Sequence, residues 1–192
     1  MANKIRYGIK NVYYAIATLQ SNGSATYGTP KSWPGAVSLT MDKEGDQEIF
    51  YADNIAYFIS AANGGYSGSL ESALIPDDFR ENVLNELMDN NNVLIECVTA
   101  EPVHFALMFQ FEGDQSKIQH VLYNCIASRP SVSGNTKEAT VSPQTETIDI
   151  KALPVYNATL DADIVKARTS ATASTSITTT WNSSVYTPTI TT

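Results

Sequence analysis

The chain has 192 residues, 43% of them hydrophobic and 17% charged, enough for one domain with a real core or one domain plus arms. No apolar run approaches the roughly 18 residues that span a bilayer, and the start MANKIRYGIK lacks a following apolar stretch with a cleavage site, so no signal peptide is expected. The net charge of −8 is unevenly placed: +4 over residues 1–40, −13 over 41–114 and +1 over 115–192. That distribution argues against tight nucleic-acid binding, which needs a clustered positive surface, and suits a contact in which one copy's basic front meets its neighbour's acidic middle.

In chain order, Val12–Leu19 is rich in aromatic and branched residues and predicts a strand. Residues 20–36 read as a long loop, rich in Ser, Gly and Thr and carrying Tyr27, Pro30 and Trp33-Pro34-Gly35. Val37, Leu39 and Met41 alternate with polar residues as a second strand, and Asp42–Glu48 reads as a polar tip. Ile49–Tyr51 and Ile55–Ala61 are strand-like, interrupted at Asp53-Asn54, so residues 37–62 are expected to be strands joined by acidic excursions. After Asn63-Gly64-Gly65, the residues Tyr66, Gly68, Leu70 and Leu74 fall on one face of a strand that Pro76 stops. Asp77 and Asp78 then open an amphipathic helix predicted near 77–88, with Phe79, Val83, Leu84 and Leu87 as its apolar stripe.

Val93–Val98 is the next predicted strand. The strict alternation Val103, Phe105, Leu107, Phe109, Phe111 makes the strongest one, and with residues 117–127 it forms a predicted antiparallel hairpin. Thr136–Val141 and Thr145–Ala152 read as a second hairpin. From Thr169 the composition changes: fifteen of the last twenty-four residues are Ser or Thr. Disorder is the default for such a tail, but Ile177, Trp181, Val185, Tyr186 and Ile190 also fit an arm that orders against a neighbour. The fold class is therefore mainly β with one helix (α+β), antiparallel throughout. Residues 1–168 form the β-domain, with an N-terminal arm over about 1–11, and 169–192 form a C-terminal arm.

No constellation of catalytic residues emerges. His104 and His120 sit in strand segments and read as surface or half-buried histidines rather than a base or a metal ligand. No Cys or His pair has zinc-site spacing, and Cys97 and Cys125, both in apolar strand-like segments, are expected to be buried free thiols. The glycines of Asn63–Gly68 lack the following lysine and the strand-to-helix placement of a phosphate loop. Asp42, Glu44 and Asp46 imitate the first ligands of a calcium loop, but Gln47 stands where the glycine is needed and Asp53 where the glutamate is. The glycosylation patterns at Asn157 and Asn182 are expected to be coincidental. No catalytic, cofactor or metal residue is assigned.

An ordered set of segments carries a resemblance: NKIRYGIKNVYYA, PGAVSLTMDKEGD, FYADN at 50–54, NGGYSGSLESALIPDDF, HFALMFQFEGD, HVLYNCIASRPSVSG, TKE and PQTETIDI at 143–150. Over residues 3–168 the chain resembles the major tail proteins, or tail tube proteins, of long-tailed bacteriophages and related prophages of Gram-positive bacteria. The resemblance implies two packed antiparallel sheets in a β-sandwich or barrel with a flanking helix. It implies a non-enzymatic structural subunit of the virion tail, assembling as stacked hexameric rings around a lumen. The implied partners are further copies of itself, the tape measure protein, the tail terminator and the baseplate or distal tail proteins. Genomic DNA would pass through without specific binding, and no membrane or cofactor is implied.

The residues expected at the contacts between subunits or rings are Lys4, Arg6, Lys10, Tyr27, Trp33, Asp42, Glu44, Asp46, Glu48 and Asp53, chosen for the length, polarity and opposite charge of their segments. A competing reading is a monomeric β-sandwich module that binds carbohydrate or a host surface at a phage tail, with Trp33, Tyr27 and Trp181 as stacking platforms. A hydrolase has no nucleophile–base arrangement to support it.

Overall fold

The alternating segments pair antiparallel in the computed structural model, which describes residues 5–45, 47–61, 63–114, 116–136 and 143–189; at 47–50, 52, 56 and 59–61 it describes the backbone only. Strand β1 (Tyr7–Leu19) is followed by β2 (Ala25–Tyr27), β3 (Lys31–Ser32), β4 (Ala36–Glu44), β5 (Gln47–Ala52), β6 (Ile55–Ala61) and β7 (Gly65–Ser72). Helix α1 (Asp77–Asn82), β8 (Leu87–Met88) and β9 (Leu94–Ile95) come next. The chain continues through β10 (Phe105–Glu112), β11 (Gln119–Ala127), β12 (Glu146–Ala152), β13 (Val155–Asn157), β14 (Ala162–Ile164), β15 (Lys166–Arg168) and α2 (Thr175–Thr180).

Among the described residues, nine strands form one sheet in the order β2-β1-β10-β11-β12-β7-β4, with β3 added to β1 and β15 added to β11. The expected hairpin of residues 103–112 with 117–127 is β10 with β11, in register from Phe105↔Cys125 to Gln110↔Gln119. The sheet curls so that β4, at one edge, lies against β1 near the other. Its concave face holds Val12, Tyr14, Leu70, Phe105, Leu107, Ile148 and Ile150, closed by Trp33 and by Phe79, Val83 and Leu84. Alternate residues of the same strands, Ala15, Ala106, Met108, Val121 and Tyr123, face the other way into a second core with Val155, Trp181 and Val185. Strand β10 is thus buried on both faces, which explains the near-continuous apolar run Phe105–Phe109.

Several expectations are corrected. Residues 7–11, read as part of an arm, belong to β1 and pair with β10 from Tyr7↔Glu112; the register shifts along this pairing fall beside Gly8 and Asn11, whose φ values are +60° and +51°. Positive φ at bulges is where Gly and Asn are tolerated. The polar tip at 42–48 is not a tip: β4 runs to Glu44 and β5 begins at Gln47. The turn is Asp53-Asn54, with φ of +52° and +62° between Ala52 and Ile55, the geometry of a two-residue type I′ hairpin.

Residues 20–36 are not an open loop, because β2 and β3 both fold back onto β1. The helix is half its expected length. It ends at Asn82, Val83 caps it with its N–H bonded to Phe79 O, and Asn85 turns left-handed at φ +60°. Leu87-Met88 then pair with Leu94-Ile95, which are all that remains of the expected strand over 93–98. Cross-strand pairing takes residues that the apolar spacing assigned to a helix. Leu74 lies beyond the end of β7 and is exposed rather than buried with Leu70. Strand β12 pairs with β7 and β11; its expected partner, Thr136–Val141, lies apart from Thr136 outside the described residues. Cys97 sits outside any strand and half-buried, Cys125 is buried, and both are free thiols.

Two glycines are required by close packing. A Cβ at Gly68 would run into the Thr40 carbonyl of β4, and one at Gly65, whose φ is +110°, into the Ala152 carbonyl of β12. The residues that read as a glycine turn therefore let β4, β7 and β12 pack side by side.

Candidate subunit interface

The concave core is anchored by aromatic geometry around Phe79. Its ring is 4.4 Å from Trp33, 5.0 Å from Tyr14 and 5.3 Å from Phe105, the last two edge-on. Edge-to-face contacts of this kind add to plain burial. Trp33 is 2% exposed, and its Nε1 donates to Ser72 Oγ at 3.0 Å. Tyr14 donates its hydroxyl to Asp78, and Lys31 Nζ stands 2.6 Å from the same carboxylate, so β1, β3 and α1 are tied together at one point. Burial works to raise the Asp78 pKa, but Lys31 and Tyr14 outweigh it and hold the group below its usual value. Trp33 is therefore a core residue, not an interface or sugar-stacking residue.

The other expected contact residues separate into distinct places. Lys4 and Asp46 lie outside the described residues, and Glu48 is placed only by its backbone, opposite Ser60 in the β5–β6 pair. Lys10 is exposed on β1 opposite Gln110. Tyr27 is half-buried on the opposite face of the sheet, its ring 6.2 Å from Tyr123, and burial raises its pKa. Asp42 is exposed on β4 opposite Ser67. Glu44, two residues on, accepts from Lys151 at 2.9 Å, and bonds from Lys151 and Ser67 lower its pKa. Asp53 is exposed in the hairpin turn.

Arg6 joins two cations that sequence reasoning passed over. Its guanidinium lies 4.7 Å above the Phe111 ring. Phe109, His120 and Arg168 are direct neighbours across β10, β11 and β15. The His120 ring stacks on Phe109 at 5.1 Å and meets Phe111 edge-on at 5.4 Å. Lys166, opposite Leu122, places Nζ 4.2 Å above the Tyr66 ring. Burial first, then Arg6, Arg168 and Lys166, pull the His120 pKa down to about 4, while Asp114 opposes them. None of these three cations has an ion-pair partner among the described residues, whereas Lys31, Arg80, Arg129 and Lys151 do. The signal was present in Lys166-Ala167-Arg168, where cations alternate with a small apolar residue as on an edge strand.

A second surface stands out beside the acids. Among the described residues, strands β5 and β6 pair only with each other, outside the main sheet. Tyr51, Ile55, Tyr57 and Phe58 are 63%, 62%, 73% and 61% exposed. A register shift leaves Tyr57 at a bulge, so Ile55 and Phe58, opposite Ala52 and Phe50, share one face and Tyr51 takes the other; the hairpin is apolar on both sides.

Residues 169–189 do not form a free arm. Thr169 continues the β15 ladder, its N–H donating to Gln119 O at 2.9 Å and its hydroxyl accepting from Gln119 N–H at 3.0 Å. In helix α2, within a Thr-rich run, hydroxyls bond back one turn, Thr179 to Thr175 O at 2.7 Å and Thr180 to Ser176 O at 2.9 Å, which satisfies them without competing side-chain partners. Trp181, 3% exposed and stacked 5.4 Å from Tyr186, packs into the second core and offers no sugar platform. Among the described residues, no three His, Cys, Asp or Glu side chains could hold a metal ion together, and no helix is long and apolar enough to cross a membrane.

No family model and no curated protein matches the chain. Among solved structures, it is similar to a chain in the cryo-EM structure of the anti-feeding prophage (AFP) baseplate, six-fold symmetrised. The identity is 10%, the TM-score 0.44, and the match covers 90% of this chain and 99% of that one. That likeness is too distant to carry an argument about role. The chain is established as a mainly β, antiparallel protein with one large curled sheet.

Proposed function

We propose that this chain is a structural subunit of a phage-type tail tube and not an enzyme. Copies close into hexameric rings that stack around a lumen for DNA, within a virion tail. Its partners are further copies, the tape measure protein at the lumen, and terminator and baseplate proteins at the ends. The observation that carries the reading is the β5–β6 hairpin, apolar on both sides and paired with no other strand among the described residues. A lone two-stranded hairpin is marginal in water, and an apolar surface of that kind marks a protein contact. The ordered sequence resemblance over residues 3–168 supplies the kind of assembly. The acidic middle of the chain suits a wall that DNA must pass without sticking.

Size-exclusion chromatography over a range of concentrations, with negative-stain imaging of the fractions, tests this. Rings or tubes of uniform diameter are expected. A monomer at every concentration would sink the reading.

A further inference from the structure

Beyond Thr169, residues 170–189 lie over the second face of the sheet and carry no charged side chain, so no side-chain ion pair fastens them. Their hydroxyls bond among themselves: Ser170 with Thr172, Ser174 with Ser176, and Thr179 and Thr180 with carbonyls of their own helix. The side-chain hydrogen bond that crosses to the sheet runs from Gln119 Nε2 to Thr178 O at 3.2 Å. A carbonyl can only accept, so this bond fixes the Gln119 amide and leaves its Oε1 buried and unpaired.

Trp181 and Val185 hold the segment down by apolar contact, with Ile177 and Tyr186 partly buried beside them. Two clefts open between segment and sheet, one of about 380 Å³ lined by Tyr27 and Val185, the other of about 320 Å³ lined by Gln119 and Thr178. Side chains that face a gap lose dispersion contacts. The Tyr123 hydroxyl and Trp181 Nε1, like Gln119 Oε1, are buried with no partner among the described residues, so closing the segment takes water from each and returns nothing. The concave core shares no side chain with this interface.

We propose that residues 170–189 are a strap that opens and closes as one unit about Thr169–Ser170 while the sheet stays folded. Opening exposes Trp181 and Val185, and it restores water to three polar groups, which offsets part of that cost. The second face, with Ala106, Met108, Val121 and Val155, thus alternates between covered and bared in a single copy. Proteins open in contiguous units of this kind wherever local contacts are few and polar groups are poorly satisfied.

Hydrogen exchange of the full chain, read by mass spectrometry in dilute solution, tests the strap. Peptides covering α2 should exchange at least ~100-fold faster than those of β10 and β11, yet more slowly than an unfolded peptide, because the strap is mostly closed. Tyr123→Phe keeps the ring and removes the unpaired hydroxyl, so it should slow exchange in α2 by ~10-fold. Trp181→Ala should bring α2 to the unfolded-peptide rate while circular dichroism keeps its strand signal. Exchange of α2 at the pace of β10 and β11 would mean that cover and sheet unfold together. Exchange at the unfolded rate in the unmodified chain would mean that the segment never closes. Either result overturns the proposal, as does a Tyr123→Phe chain with no slowing or a Trp181→Ala chain that loses its strands. None of these readings depends on assembly, so the strap and the tail-tube reading fail separately.

Discussion

On its concave face the central sheet is covered by residues that belong to its own strand connections: Trp33 just before β4, and Phe79, Val83 and Leu84 just after β7. On the opposite face it is covered by residues 169–189, a Ser/Thr-rich segment whose buried apolar side chains among the described residues are Trp181 and Val185. Polar atoms are handled differently as well. Trp33 Nε1 has Ser72 as its acceptor, whereas Trp181 Nε1, the Tyr123 hydroxyl and Gln119 Oε1 are buried without a hydrogen-bond partner among the described residues. An unpaired buried donor costs about 1–3 kcal/mol. One face is therefore a fully satisfied aromatic core. The other is a cover held by apolar contact and a short ladder at Thr169, and it should be the first to come away.

The largest test of that difference is Phe79→Ala. Phe79 contacts Tyr14, Trp33 and Phe105 at once, so truncation should cost about 3–5 kcal/mol, seen as a lower urea midpoint with a clearly reduced folded fraction. Removing residues 170–192 should cost less, about 2–3 kcal/mol, and leave a folded sheet that binds a hydrophobic dye through Met108, Val121 and Tyr123. A dye-negative truncation of unchanged melting temperature would mean that the two faces do not differ as described.

A finer comparison replaces each tryptophan with phenylalanine. Trp33→Phe loses a satisfied hydrogen bond and leaves Ser72 Oγ short of one donor, an expected cost of about 1–2 kcal/mol beyond the volume change. Trp181→Phe removes a donor that had no acceptor, so its cost should be smaller despite equal burial. Thermal melts of the pair decide it, and equal losses would contradict the contrast.

The smallest effect is on pH. The ring of His120 is packed against Phe109 and Phe111, with Arg6, Arg168 and Lys166 around it and Asp114 the opposing acid. Its pKa in the folded chain is about 4, below the ordinary 6.5. The unfolded chain therefore takes up the proton first, and stability falls as pH drops from above 6.5 toward 4. Because the ring is part solvated, the loss attributable to it should be on the order of 1 kcal/mol. His120→Gln should flatten that limb of the stability profile.

Much of this fold was legible in the residues. Alternation over Phe105–Phe111 and Thr145–Ala152 placed β10 and β12, because successive strand side chains point to opposite faces of the sheet. Pro76 with Asp77 and Asp78 marked the helix start for the same local reason. Of the candidate contact residues, Asp53 and Arg6 reached the surfaces described above, but Trp33 turned inward and Glu44 found Lys151. Burial of a loop tryptophan and pairing of a strand glutamate depend on neighbours more than thirty residues away, which no local window contains.

The sequence by itself thus determined the longer strands β1, β4, β7, β10, β11 and β12, the helix start and the charge division. These follow from steric limits and side-chain period, which act within a few residues. Only the tertiary structure decided where the helix stops, because Leu87-Met88 had Leu94-Ile95 to pair with. It alone put the Ser/Thr-rich segment on the second face, where the apolar sides of Ala106, Met108 and Val121 needed cover whatever the tail's composition. And it alone drew Arg6, Lys166 and Arg168 together from opposite ends of the chain, through the antiparallel register of β10, β11 and β15.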